Sequence, residues 1–264
     1  MPAVQLLHVT DPHLFADPGR ELYGVKTAES FRRVVEHALA DGPRPDAVIA
    51  TGDIGDDFTV AAYRRFRETL EPVGAPVYCL PGNHDDPREM AALLDDRGFQ
   101  YCGRAHLGRW GLVLVDTHLP GQPHGRVSTD GLARLDEDLA ACTGAPTLVC
   151  LHHPPVEVGS RWLDGVGLLN AADVLAVLDR HPHVRAVVAG HVHQAYDRDR
   201  RGVRMLTTPS TCAQFTPLTE QCVMDSRPPG YRRITLLDDG TLETRVEWLP
   251  APVGQPRPEP KGRR

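Results

Sequence analysis

Five apolar runs in this chain end in side chains that can bind a metal ion or carry a proton. "AVQLLHVT" ends in Asp11-Pro12-His13, "AVIAT" in Gly52-Asp53, and "VYCLP" in Gly82-Asn83-His84-Asp85. "TLVCL" ends in His152-His153-Pro154, and "VRAVVA" in Gly190-His191-Val192-His193. Imidazole, carboxylate and amide oxygen without thiolate suit manganese, iron, zinc or cobalt, not an iron–sulfur cluster. In an extended segment residues two apart point the same way, so Asp11 and His13 can share one ion while Pro12 faces away. Two Asp, one Asn and at least three His overfill a four-coordinate ion. Two ions joined by a bridging carboxylate are the simpler solution. Such pairs sit about 3.5–4 Å apart and act on phosphoryl groups by in-line displacement. Gly52, Gly82 and Gly190 each precede a proposed ligand, where the backbone must turn without a Cβ in the way.

The elements that carry these ends follow from periodicity. Apolar runs alternate with amphipathic stretches, the pattern of an α/β protein, and in open α/β sheets ligands bind beyond the carboxyl ends of the strands. "TAESFRRVVEHALADG" places Phe31, Val34, Val35, Ala38 and Leu39 on one helical stripe, from Thr27 to near Gly42. Tyr63, Phe66 and Leu70 mark a second helix, Pro87 to Arg97 a third, and Leu132, Leu135 and Leu139 a fourth. "NAADVLAVLDRH" predicts a fifth with Asn170 as its N-cap. After Gly202 strands follow one another without helices, one pair joined by an Asp239-Gly240 turn, so an antiparallel section is expected there. The economical reading is a single domain over residues 1–249, mainly β from 202, with a Pro-rich tail at 250–264 expected to lack fixed structure.

Composition narrows the partners. The chain has 264 residues and a formal charge of −6, which disfavours a protein that wraps nucleic acid. A small anionic substrate is still open, because bound cations reverse the local field. No apolar run is long enough to cross a bilayer. The start "MPAVQLLHVTDPH" lacks a basic, cleavable leader, and the six cysteines form no C-x-x-C pair, so a reducing cytoplasm is the expected setting.

As a set, D-x-H, G-D, G-N-H-D, H-x-P and G-H-x-H in this order resemble the calcineurin-like metallophosphoesterases. The phrases "HVTDPHLF", "LPGNHDD", "SRWLDGVGLLNA", "AGHVHQ" and "LTTPSTCAQF" extend the resemblance to the bacterial class III 3′,5′-cyclic AMP phosphodiesterases, over nearly the whole chain. The resemblance implies a four-layer αββα sandwich of two mixed β-sheets flanked by helices. It makes Asp11, His13 and His193 ligands of one metal, Asn83, His152 and His191 ligands of the other, and Asp53 the bridge. It places His13, Asp53, Asn83, His84 and His193 around the substrate phosphate, with His84 as general acid. Iron and manganese, singly or mixed, are the expected ions. Symmetric dimers suit the resemblance, though no segment identifies an interface.

The expected reaction is attack on phosphorus by hydroxide held between the ions, with His84 protonating the ribose 3′ oxygen to give 5′-AMP. Asp85 is expected to orient the His84 imidazole and raise its pKa. Metal chemistry does not select the alcohol, so glycerophosphodiesters and 2′,3′-cyclic nucleotides stand as alternative substrates. A catalytically silent interaction module on the same fold is a further alternative, but such a protein would be expected to have lost ligands, and none is missing here. The acidity of Gly55-Asp56-Asp57 departs from the pattern and could bear on substrate choice. His8 and His37 are read as packing or surface residues, and the Arg64-Arg65-Arg67 group as a solvated helix face. His153 is left between a structural role and phosphate contact, and His124 in a loop that could reach the pocket.

Overall fold

A computed structural model describes residues 3–96 and 98–258. The first half winds β1 (Val4–Val9), a small hairpin of β2 (Glu21–Leu22) and β3 (Val25–Lys26), then α1 (Thr27–Ala40) and β4 (Ala47–Thr51). It continues through α2 (Val60–Leu70), β5 (Val77–Leu80), α3 (Pro87–Leu93) and β6 (Phe99–Tyr101). β1, β4, β5 and β6 pair in parallel. Every residue of β4 is buried, as expected of a parallel strand covered on both faces.

The second half runs β7 (Gly103–Leu107), β8 (Trp110–Leu114), α4 (Thr129–Ala141), β9 (Thr147–Cys150), α5 (Arg161–Asp164), α6 (Ala171–Leu178) and β10 (Val184–Ala189). It ends with β11 (Tyr196–Arg200) and β12 (Val203–Thr207), giving a sheet of order β11-β12-β10-β9-β8-β7. After a small pair, β13 (Gln214–Phe215) and β14 (Met224–Asp225), the chain returns to the first sheet. There β15 (Gly230–Leu236) lies antiparallel to β1, and β16 (Leu242–Trp248) antiparallel to β15.

The two-residue period of each strand distributes its side chains between layers. Leu7, Val9, Val48, Ala50 and Cys79 pack on Phe31, Val34, Tyr63, Phe66 and Met90 of α1–α3. Their neighbours Leu6, Ala47, Ile49 and Leu80 meet Leu112, Leu114, Leu148, Cys150 and Val188 of the second sheet. Val113, Val149 and Val187 face Leu135, Leu139, Val174 and Leu178 of α4 and α6. Three interlayer cores make the four-layer αββα sandwich. Near its middle, strand ends from both sheets meet.

Several local expectations change. The helix expected from Pro87 to Arg97 ends at Leu93: Leu94 leaves helical geometry while still bonded to Met90, and Val77 takes the Gly98 carbonyl (Arg97 is outside the described residues). Asn170 precedes α6 without capping it; its side chain instead bonds the backbone of Val127 in both directions. The Pro-rich end is placed as far as Pro258, against the expectation of no fixed structure. Val253 is buried there, and the amides of Gln255 and Arg257 reach the carbonyls of Gly24 and Tyr23. The rest of that expectation lies outside the described residues. Arg65 and Arg67 are more than a solvated face: Arg65 donates to the carbonyls of Phe15 and Ala16, and Arg67 to that of Leu93.

Candidate metal centre

The loops after β1 and β4 stay joined beyond the sheet. Asp11, His13 and Leu14 donate their amides to the carbonyls of Gly52, Asp53 and Ile54 at 3.0, 2.9 and 2.8 Å. Asp11, His13, Asp53, His191 and His193 all have positive φ, between 47° and 68°. They are five of the ten such non-glycine residues among those described. Left-handed backbone at a non-glycine residue costs on the order of 1–3 kcal/mol and persists where the surroundings over-determine it. Asp11 and His13 therefore do converge, but not by the alternation of an extended segment. Each turns inward through a left-handed residue.

Glycine makes room for this convergence mainly by close approach. A Cβ on Gly82 would stand 2.1 Å from Asp53 Oδ1, and one on Gly190 2.1 Å from Thr10 Oγ1. Gly52 alone of the three has a positive φ, 90°.

Four imidazoles are pinned from outside by one nitrogen. His152 Nδ1 donates to the Thr51 carbonyl at 2.7 Å, His193 Nδ1 to Ala213 at 2.8 Å, and His191 Nε2 to Val166 at 3.2 Å. His13 Nδ1 donates to Asp56 Oδ1 at 2.9 Å. A hydrogen bond on one nitrogen fixes the tautomer and leaves a lone pair on the other. Three of these rings bring the other nitrogen close to further donor atoms on the inner side. His193 Nε2 lies 3.2 Å from His13 Nε2 and 3.3 Å from Asp11 Oδ1. His152 Nε2 lies 3.2 Å from Asn83 Oδ1 and 3.4 Å from Asp53 Oδ2. Lone pairs and carboxylate oxygens facing one another at these distances repel unless a cation or a proton lies among them. This donor set fits metal ions. Asp11, His13 and His193 form one group with donor atoms within 4.8 Å of one another, and Asp11, Asp53 and His152 a second that shares Asp11.

In the metal-free chain a proton on the inward nitrogen can take the place of the cation. Burial opposes charge on His152, yet Asp53, by charge and by hydrogen bond, lifts it to about 9. Burial and then the neighbouring His152 push His191 down to about 3. Burial works against ionised Asp11, but His193 brings it down to about 2.

His84 sits at the mouth, its side chain 44% exposed, with its amide donating to Asp53 Oδ1 at 2.9 Å. Its orienting carboxylate is Asp56, with Oδ1 3.0 Å from Nδ1. Burial disfavours the protonated ring, but the charge of Asp53 and the hydrogen bond that the ring donates to Asp56 raise it to about 10. Asp85 adds its charge to the upward shift of His84, as expected, but its carboxylate is turned to the backbone and not to the ring. Its carboxylate accepts the amides of Ile54, Gly55 and Gly82 at 3.1, 2.8 and 2.9 Å, tying the β4 loop to the β5 loop. Asp56 is the candidate site residue that sequence reasoning underused; the acidic Asp56-Asp57 step is its only signal. His153 is buried and held by Thr117 Oγ1 at 2.9 Å and the Pro123 carbonyl at 3.2 Å, which gives it a bracing role. His124 is half-buried on the loop that His153 holds.

Fold and site together define a metal-dependent phosphoesterase: residues 4–195 match the family model described as calcineurin-like phosphoesterase, and the chain belongs to that family. Among curated proteins it is 40% identical over 247 residues to the 3′,5′-cyclic adenosine monophosphate phosphodiesterase CpdA of Escherichia coli (strain K12), covering 93% of this chain and 90% of that protein. It is 39% identical over 248 residues to CpdA of Vibrio vulnificus (strain CMCP6), covering 94% of this chain and 90% of the relative. Among solved structures, a dimetal phosphatase from Danio rerio shares the fold with a TM-score of 0.65 at 17% identity, over 89% of this chain and 96% of that one. No described helix is long and apolar enough to cross a membrane.

Proposed function

We propose that this chain is a dinuclear-metal phosphodiesterase that hydrolyses 3′,5′-cyclic AMP to 5′-AMP in the cytoplasm. The observation that carries the reading is the inward-facing set of nitrogen and oxygen donors, with an exposed, carboxylate-held His84 beside it. The curated relatives named as cyclic AMP phosphodiesterases are similar to this chain over more than nine-tenths of its length. Asp11, His13 and His193 would hold one ion, Asn83, His152 and His191 the other, and Asp53 both. The hard donor set, free of thiolate, favours iron or manganese, with zinc or cobalt able to substitute. When bound, the cations supply Lewis acidity toward phosphoryl oxygens and make water reactive near neutral pH.

The remaining work falls to the chain. Asn83 and His84 stand at the open side and orient the cyclic phosphate. His84 keeps Nδ1–H on Asp56 and presents Nε2–H to the ribose 3′ oxygen. As the bond from phosphorus to that oxygen breaks, the proton passes to the leaving oxygen and the 5′ ester is retained.

The test is turnover of metal-reconstituted protein with cyclic AMP, a glycerophosphodiester and an aryl diester, alongside elemental analysis. The expected result is 5′-AMP from cyclic AMP, abolished by chelation and restored by Mn²⁺. Loaded protein that cleaves the glycerophosphodiester and leaves cyclic AMP intact would transfer the assignment to that substrate class.

A further inference from the structure

A buried polar chain runs from β15 to the centre, and no step above uses it. Arg232, 2% exposed, donates from Nε to Thr208 Oγ1 at 3.2 Å, and Thr208 Oγ1 lies 2.7 Å from His8 Nδ1. On the far side of the ring, His8 Nε2 lies 2.8 Å from Thr51 Oγ1. Thr51 donates to Thr10 Oγ1 at 2.8 Å, and Thr10 donates to Asp11 Oδ2 at 2.6 Å. His8, Thr10, Asp11, Thr51 and Thr208 are each 0% exposed.

The two ends set the direction of every proton. A guanidinium only donates and a carboxylate only accepts. Thr10 must give its proton to Asp11, so its oxygen takes that of Thr51, whose oxygen in turn takes the proton on His8 Nε2. That leaves His8 Nδ1 without a proton, and Thr208, which accepts from Arg232, can give its own proton to it. The Asp11 end thus selects the neutral Nε2–H tautomer of His8, and the Arg232 end is compatible with it. Burial first, and then the charge of Arg232, hold the ring at a pKa of about 3, so no second proton interrupts the sequence at neutral pH.

We propose that this one-way relay is a positioning device for the metal centre: with the His191 amide reaching both carboxylate oxygens at 3.1 and 3.2 Å, it anchors Asp11 Oδ2 through Thr10 and so holds Oδ1 toward the ion shared with His13 and His193. The inference rests on the two-ion reading above. None of the relay residues beyond Asp11 touches substrate or metal; they act through Asp11, as hydrogen-bond partners of metal ligands do. His8 is thus more than the packing residue the sequence suggested. A network that only satisfied buried polar groups would lower stability when broken and leave ion affinity unchanged.

The experiment is a calorimetric Mn²⁺ titration of metal-free protein, with thermal unfolding of the same samples. Thr51→Val removes the hydroxyl at nearly constant volume and is expected to weaken one of two Mn²⁺ sites by about 10-fold or more, leaving the other unchanged. Thr51→Ser restores the hydroxyl and should bind as the wild type does. His8→Gln should as well, because an amide can accept from Thr208 and donate to Thr51. Wild-type affinity at both sites in Thr51→Val overturns the relay, whatever its melting temperature. Wild-type protein that binds no pair of Mn²⁺ ions overturns the two-ion reading itself, and the inference with it. Should Thr51→Val not fold, Thr208→Val cuts the relay at its other end and reads the same affinity.

Discussion

Asp56 Oδ1 lies 3.0 Å from His84 Nδ1 and 2.9 Å from His13 Nδ1, so a single carboxylate oxygen joins the mouth of the site to its interior. Both rings lower the pKa of Asp56 against the effect of burial, to about 2, which keeps it charged throughout the neutral range. If His84 protonates the leaving oxygen, the demand for it depends on how poor a leaving group that oxygen is. His84→Ala should lower cyclic AMP turnover by about 10²–10⁴-fold with bound metal retained. Asp56→Asn, which leaves the ring but removes its counter-charge, should lower it by less. Both should affect an aryl diester only slightly, because a phenolate leaves without a proton. Equal losses on the two substrates in steady-state assays would mean that metal, not the acid, had been lost.

The five strand ends were legible because chemistry-bearing residues interrupt otherwise unbroken apolar runs, and because α/β sheets gather such ends. The division of Leu6 and Leu7 between two cores was also legible, from strand alternation alone. Partner choice within the site was harder to read. Asp85 adjoins His84 in sequence, yet Asp56, 28 positions earlier, holds the ring, because the β4 loop folds across the β5 loop. The relay was out of reach, since its contacts span 43 positions from His8 to Thr51 and 200 from His8 to Thr208. β11, "YDRDR", shows no apolar period and is a strand only because it pairs with β12 at the sheet edge.

Asp85 leads to a prediction about stability. Burial first, and then repulsion from Asp53, raise it to about 6 against the pull of the amides it accepts. Removing it strands the buried donors of Ile54, Gly55 and Gly82, each costing on the order of 1–3 kcal/mol when unpaired. Asp85→Ala should therefore lose roughly 3 kcal/mol or more in urea unfolding of the metal-free protein. A loss below 1 kcal/mol, on the order of a single weak hydrogen bond, would mean that water replaces the carboxylate at little cost.

Gly82 tests how tightly the centre is built. A Cβ there would come within 2.1 Å of Asp53 Oδ1 and 2.7 Å of His152 Cε1, so Gly82→Ala must displace two candidate ligands at once. Metal content per chain should fall well below that of the wild type in elemental analysis. Gly98→Ala is the matched control: it carries a positive φ of 95° but has nothing within 4 Å of the added carbon. It should cost stability through backbone strain and keep its metal. Similar metal content in both variants would count against close approach as the reason for glycine at position 82.

His8 gives a pH dependence whose sign follows from its surroundings. Its pKa in the fold is about 3, against 6.5 for the unperturbed group. Between those values the unfolded chain takes up a proton that the folded chain refuses, so stability falls as pH drops through the window and is unaffected above it. The contribution of one such group approaches about 1.4 kcal/mol per pH unit. His8→Gln has no proton to gain and can keep both hydrogen bonds, so its unfolding free energy should decline less steeply by about that amount between roughly pH 6 and pH 4. The carboxylates of the centre titrate in both proteins and cancel in the difference. Urea unfolding of metal-free wild type and variant at several pH values measures the two slopes. Parallel slopes would show that His8 accepts its second proton inside the fold, and that the Arg232 charge does not reach it.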